Sequence, residues 1–254
     1  MKVCIVGNSH IASLKFARDA LAGNHMEISF FGAPNTFFIK LEFVGGLLVG
    51  PQEIESKLLR VSDGMLKALN PRDFDAILFH GGDFALHLLV ASIHKVVSRH
   101  DAHFSEAFLG RGIGTWLEQR TLFQWACMAR QVSPGTRILL SPRPCPAVEV
   151  LEQRPRWAWD HMSVEFRQGV WRRCVEFSRE RGIELLLQPE ETLSDSQYTD
   201  PAFTISSRRL LDSSNAHEPS DVAHMNEKYG AAVLAALEER LMGESHARPQ
   251  TSPA

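Results

Sequence analysis

Cysteine is scarce in this chain of 254 residues. There are four, Cys4, Cys127, Cys145 and Cys174, and no two stand at the C-x-x-C spacing that would hold a metal or a redox dithiol. Cys4 lies in an apolar strand-like run and Cys127 and Cys174 in helical patterns, so reduced, mostly buried thiols are expected. Long hydrophobic runs are missing too. No segment approaches the roughly 20 apolar residues that cross a bilayer. The start "MKVCIVGNSH" lacks the longer apolar stretch and small-residue cleavage site of a secretory leader. No membrane association and a cytoplasmic location are the expectations. Nor is there an excess of positive charge. With 27 Lys and Arg against 30 Asp and Glu, the formal net charge is -3, which gives no electrostatic footprint for nucleic acid. Small neutral or acidic substrates remain. What the chain does have is 44% apolar and 22% charged residues, a soluble globular composition with length enough for a sizeable core.

Five short apolar runs punctuate the sequence: Lys2–Val6, Met26–Phe31, Asp75–His80, Arg137–Ser141 and Ile183–Gln188. Runs this short and this apolar suit strands buried on both faces. Helical patterns separate them, from Ser9 to about Leu21, about Gln52 to Leu69, roughly Thr115–Gln131, Ser163–Arg181 and Asn226–Met242. The alternation predicts an α/β fold, a parallel sheet covered on both faces. It never breaks into two patterns, so residues 1–243 read as one domain and 244–254 as a fraying tail. Two connections are long, Phe84 to Gly114 with its histidines and the "GRGIG" turn, and Glu190 to Asp221. Long connections tend to be lids or mobile segments.

The first strand ends in "GNSH", Gly7 to His10, at a rim where ligands of open parallel sheets collect. The turn is neither a dinucleotide loop G-x-G-x-x-G nor a phosphate loop G-x-x-x-x-G-K-[ST], and Ile11 occupies the second glycine of the G-x-S-x-G elbow. Ser9 could simply cap the following helix. Near the other end stands "SDVAHMNEKYG", with Asp221 three residues before His224. An Asp at that spacing can reach the imidazole Nδ1, fix the tautomer, and leave Nε2 to take a proton from a serine hydroxyl. In a doubly wound sheet the first strand's exit and the turn before the last helix share one rim.

Together these stretches resemble the SGNH hydrolases, the GDSL-like esterase and deacetylase superfamily, over Val3 to about Leu241. "IVGNSH" looks like the first block with Ser9 as nucleophile, "FFGAPN" like the second, and "DVAHMNEKYG" like the last. The resemblance implies a flavodoxin-like, three-layer, doubly wound five-stranded parallel sheet and a Ser9–His224–Asp221 triad. It implies an oxyanion hole using the N–H groups of Ser9 and Gly32, with no cofactor and no metal. The implied substrate is an ester or O-acyl group, O-acetyl included, on a small molecule or carbohydrate. The third block departs from the family. Where G-x-N-D is usual the chain reads "FHGGDF", so that Asp83 matches the Asp, Gly82 stands in the Asn position and His80 in the Gly position. Losing one side-chain donor of this kind costs about 10²–10³ in turnover. Compensation by His80 or an ordered water is the expectation. A slow enzyme, or a site that binds without catalysing, are the other outcomes. Two alternative functions stay open, an O-acyltransferase acting on a carbohydrate or small alcohol, and a catalytically impaired binding protein. The oligomeric state is not specified.

Other residues carry weaker signals. Histidines 80, 87, 94, 100 and 103 invite a metal reading, but helical residues seven apart lie about 10 Å apart along the axis and cannot share an ion. Arg143, in the proline-stiffened "SPRPCPA" loop, could meet an anionic group, against a plain solvated loop arginine. Trp157, Trp159 and Trp171 fit a pocket wall or helix–sheet packing. Arg172 and Arg173 read as a solvated helical face.

Overall fold

The computed structural model describes residues 1–18, 25–100, 105–149, 163–194, 198–218 and 220–243. The expected Trp157 and Trp159 and the tail 244–254 lie outside the described residues.

All five apolar runs form strands: β1 (Lys2–Gly7), β2 (Glu27–Gly32), β3 (Ala76–Gly81), β4 (Arg137–Pro142) and β5 (Glu184–Leu185). They make one sheet in the order β2-β1-β3-β4-β5, with every neighbour parallel. Side chains alternate across it. Cys4, Val6, Ile77, Phe79, Ile138 and Leu140 enter one apolar core, while Val3, Ile5, Ala76, Leu78 and Leu139 enter a second on the opposite face. Strands buried on both faces need apolar residues at successive positions, and residues 3–6, 76–79 and 138–140 supply them at the centre of the sheet.

Helices cover both faces. On one side pack α1 (Ile11–Ala17) and the final helix, designated α8 (Glu227–Gly243). On the other lie α4 (Leu86–His100), α5 (Glu106–Glu118), α6 (Thr121–Val132) and α7 (Val164–Glu180). The short α2 (Asn35–Phe38) and α3 (Glu55–Val61) follow β2. The parallel sheet covered on both faces that the alternation predicts is therefore observed, in the three-layer, doubly wound form that the resemblance implies. No described helix is long and apolar enough to cross a membrane.

Local departures have physical reasons. The helix expected to run to Leu69 stops at Val61, because Asp63 and Gly64 take left-handed φ of 54° and 86° and the Gly64 N–H returns to the Leu59 carbonyl at 2.7 Å, a helix-ending turn. Ala68–Leu69 then joins a small antiparallel sheet with Glu42–Val44 and Leu47–Val49. The described residues between Phe84 and Gly114 are mostly helical rather than a loop, and "GRGIG" lies inside α5. Its last glycine serves close packing, since a Cβ on Gly114 would stand 2.4 Å from the Phe177 ring of α7. The Glu190–Asp221 connection holds two short antiparallel pairs, Leu193–Ser194 with Tyr198–Thr199 and Arg208–Arg209 with Asp212–Ala216. β5 is shorter than expected because Gln188 turns inward. Its amide accepts from the Cys145 N–H (2.8 Å) and donates to Thr192 and Thr199 (3.0 Å each).

All four cysteines are free. Burial pushes the thiols of Cys145 and Cys174 up to about 12, so they stay protonated and unreactive.

Candidate active site

The order of strands reverses between β1 and β3, where the chain first steps outward to β2 and then crosses back. Such a switch point leaves a crevice at the carboxyl ends of the strands. Residues from three separate segments meet there.

Ser9 leaves β1 in a turn held by its main chain, in which the N–H groups of Ile11 and Ala12 donate to the carbonyls of Asn8 and Ser9 at 3.1 Å. The residue before the first turn of α1 is His10, in helical φ,ψ and without a side-chain cap. The alternative of Ser9 as a helix cap is thereby replaced: its hydroxyl faces His224 Nε2 at 3.0 Å. His224 Nδ1 in turn donates to Asp221 Oδ2 at 2.7 Å. The D-x-x-H spacing works because Asp221 Oδ1 also accepts the N–H groups of Ala223 (2.9 Å) and His224 (3.0 Å), which folds the turn around the carboxylate. Burial acts to raise the Asp221 pKa, but hydrogen bonds from His217 and His224 outweigh it and hold the carboxyl well below its usual range. With Nδ1–H committed to a charged carboxylate, Nε2 is bare and can accept a hydroxyl proton.

His224 is enclosed on both faces. His217 stacks on it with ring centroids 4.0 Å apart and planes within 6°, and His10 lies on the other side at 5.1 Å and 22°. Burial, followed by the charges of His224, Arg143 and His80, lowers the His10 pKa well below the ordinary histidine value, so that flank is neutral. His217, Asp221 and His224 have ligand atoms within 4.8 Å of one another. Both Nδ1 atoms converge on Asp221 Oδ2, so the three groups satisfy one another by hydrogen bonds.

A cleft of about 450 Å³ opens in front of Ser9 and His224, walled by Phe38 and Trp125 and edged by Asn35, Asp83, Thr121 and Arg143. Of the residues expected at the oxyanion, Gly82 and Asp83 line this cleft, and Gly32 and His80 are not among its lining. Gly82 has φ of +54°, and its N–H donates to Asn8 Oδ1 at 3.3 Å. A Cβ there would meet Leu122 Cδ1 at 2.7 Å, so the position where the resemblance expects Asn is close-packed against α6. Asp83 accepts the N–H groups of Thr121 (2.7 Å) and Leu122 (3.3 Å), closing the first turn of α6, where free N–H groups favour a carboxylate. Gly32 ends β2 beside Gly7, whose carbonyl would lie 1.9 Å from any Cβ. His80 is fully buried, its ring nitrogens lack a hydrogen-bond partner among the described residues, and burial lowers its pKa to about 4.

Four polar residues at the site escaped the sequence reading: Asn8, His10, Asn35 and His217. Asn8 Nδ2 donates to Asn35 Oδ1 at 3.2 Å, bracing one strand exit against the next. His217 stands four residues before Asp221, a spacing that, added to D-x-x-H, was the available signal. Arg143 lies on the cleft rather than in a free loop, and its N–H donates to the Phe84 carbonyl at 2.7 Å. Trp171 is half-buried under Arg167, 4.9 Å from the ring centroid. Arg172 is exposed, and Arg173 pairs with Glu106.

No family model and no curated protein matches this sequence. Solved structures do match over nearly the whole chain. The periplasmic domain of a lipopolysaccharide acetyltransferase from Salmonella ser. Paratyphi A is 12% identical with a TM-score of 0.42, covering 95% of this chain and 83% of that one. A carbohydrate acetylesterase family member from Sinorhizobium meliloti is 13% identical with a TM-score of 0.37, covering 96% and 98%. An extracellular lipase from Streptomyces rimosus is 10% identical with a TM-score of 0.40, covering 94% and 99%. The fold itself is the one that the sequence's resemblance to the SGNH hydrolases implies, a five-stranded parallel sheet with Ser9 at the exit of its first strand and the Asp221–His224 turn before its last helix.

Proposed function

We propose that this protein is a serine hydrolase of the SGNH type, with residues 1–243 as its single domain, that cleaves an ester or O-acyl group from a small molecule or carbohydrate. The observation that carries the reading is the continuous chain from Ser9 Oγ to His224 Nε2 (3.0 Å) and from His224 Nδ1 to Asp221 Oδ2 (2.7 Å). His224 takes the hydroxyl proton as Ser9 Oγ attacks the acyl carbonyl, and Asp221 stabilises the imidazolium that forms. The imidazolium then gives its proton to the departing alcohol, leaving an acyl group on Ser9. Water repeats the sequence, with His224 again as base, and releases the acid. The Ser9 N–H and the carboxamide of Asn35, which faces the same cleft and is braced by Asn8, supply donors for the oxyanion in place of the missing third-block asparagine. The Gly82 N–H is committed to Asn8.

A fluorophosphonate probe tests the reading. It labels Ser9 in the wild type and gives no label in Ser9→Ala, while His224→Ala labels at least 10³-fold more slowly, the order seen when a triad member is removed. A folded wild type that takes no label sinks the enzyme reading and leaves a binding protein. With a labelled enzyme, p-nitrophenyl acetate and a polyol acceptor separate the products. Free acetate indicates a hydrolase, and an acetylated polyol indicates an O-acyltransferase.

A further inference from the structure

We propose that His217 is a positioning residue for the acyl chemistry: it shares Asp221 with His224 and clamps the His224 ring against His10. The inference rests on the triad reading above. Asp221 Oδ2 accepts from two imidazoles, His224 Nδ1 at 2.7 Å and His217 Nδ1 at 3.2 Å, while Oδ1 accepts two main-chain N–H groups. The carboxylate is saturated and cannot swing away from the base.

The stack then fixes the ring plane. With His217 at 4.0 Å on one face and buried His10 at 5.1 Å on the other, His224 cannot rotate about its Cβ–Cγ bond without displacing a neighbour. Nε2 is thereby held on the Ser9 side. His217 is itself anchored, since its N–H donates to the Ser207 carbonyl at 2.8 Å, just past the Asp212–Ala216 strand. It does not line the cleft with Ser9, so its effect passes through Asp221 and His224. Besides those two, the charged groups around it among the described residues are Glu149 and Glu218, which line the cavity behind it, and Arg208 on the paired strand, ion-paired to Glu227.

Two variants separate ring from donor. His217→Phe keeps a flat face and loses the N–H, whereas His217→Asn keeps an N–H and loses the ring. The readouts are kcat and KM for p-nitrophenyl acetate and the rate of fluorophosphonate labelling at Ser9. For His217→Phe the expected result is a fall of about tenfold in kcat and labelling rate with KM unchanged, because Asp221 loses one of the donors that hold it against the base. For His217→Asn, which loses the stacked face, both rates fall as well, which keeps the test open should His217→Phe not fold. Wild-type kcat and labelling rate in folded variants overturn the inference, as does a change confined to KM. A labelled wild type with unaffected variants overturns this inference alone, whereas a wild type inert toward both probes sinks the triad reading and this inference with it.

Discussion

At the scale of single residues, the site is defined as much by Gly82 as by Ser9. Family resemblance places an asparagine donor where this chain has a left-handed glycine pressed against Leu122. Asparagine tolerates positive φ, so backbone strain alone does not exclude it. The Leu122 side chain would have to shift to admit it. Gly82→Asn is therefore expected to cost about 1–3 kcal/mol of stability, the usual penalty of an overpacked core. It is also expected not to raise turnover of p-nitrophenyl acetate. A more active variant of unchanged melting temperature would show that the space is there after all. The oxyanion contacts have moved to the neighbouring strand exit in this reading, where Asn35 is fixed by Asn8.

At the scale of elements, Asp83 shows how one residue serves two segments. It leaves β3 at the cleft, yet its carboxylate takes the first N–H groups of α6. Asp83→Ala leaves those donors unpaired and is expected to cost about 1 kcal/mol, as loss of a helix cap does, lowering the melting temperature by about 2–4 °C in a chain of this size. Unchanged melting would mean that water replaces the carboxylate freely. Strands and the long amphipathic helices were legible in the sequence because burial on both faces, or along one stripe, imposes a period on the residues. α4 and the first half of α5 were not. Glycine in "GRGIG" reads locally as a turn, and only the tertiary crossing with Phe177 of α7 explains a glycine inside a helix. The site divided in the same way. Asp221 and His224 were legible because their D-x-x-H spacing is local, and Ser9 because it stands at the exit of the first apolar strand. His10, Asn35 and His217 were not, since their significance arises only when the β1, β2 and C-terminal segments meet. Gly32 and His80 were carried over from the family pattern, and in this chain both lie within the packed sheet.

At the scale of the whole molecule, acid is the expected weakness. Burial lowers His80 to about 4, and burial together with the Arg143 charge lowers His87 to about 3, against about 6.5 in an unfolded chain. As pH falls below about 6.5, the unfolded state takes up protons that these native rings refuse, so stability declines until the native values are reached. Asp221, whose pKa is lowered in the fold, loses its contribution only below the ordinary carboxylate range and does not oppose this. Urea midpoints should fall steadily between about pH 6.5 and 4, with a total on the order of several kcal/mol. His80→Phe should flatten the slope, and a flat wild-type profile would contradict the burial argument. A second global restraint is Arg137, which grips Glu184 on β5 through two nitrogens (3.0 and 2.8 Å) and reaches the carbonyls of Arg240 and Leu241 at the end of α8 (3.3 and 3.1 Å). Arg137→Met is expected to cost about 1–2 kcal/mol, measured by thermal melting, because the pairing is bidentate and meets a helix C-terminus.

The distance along the chain between the hydroxyl and its base, 215 residues, carries a consequence for biosynthesis. The ribosome makes Ser9 well before His224, and α1 must wait for α8 to cover it. No product of translation interrupted between the two, and no fragment clipped between them, holds both partners of the proposed proton transfer. In that reading a cell meets the chemistry only once the chain has been made past His224, and reactivity at Ser9 reports that the stretch joining them is whole.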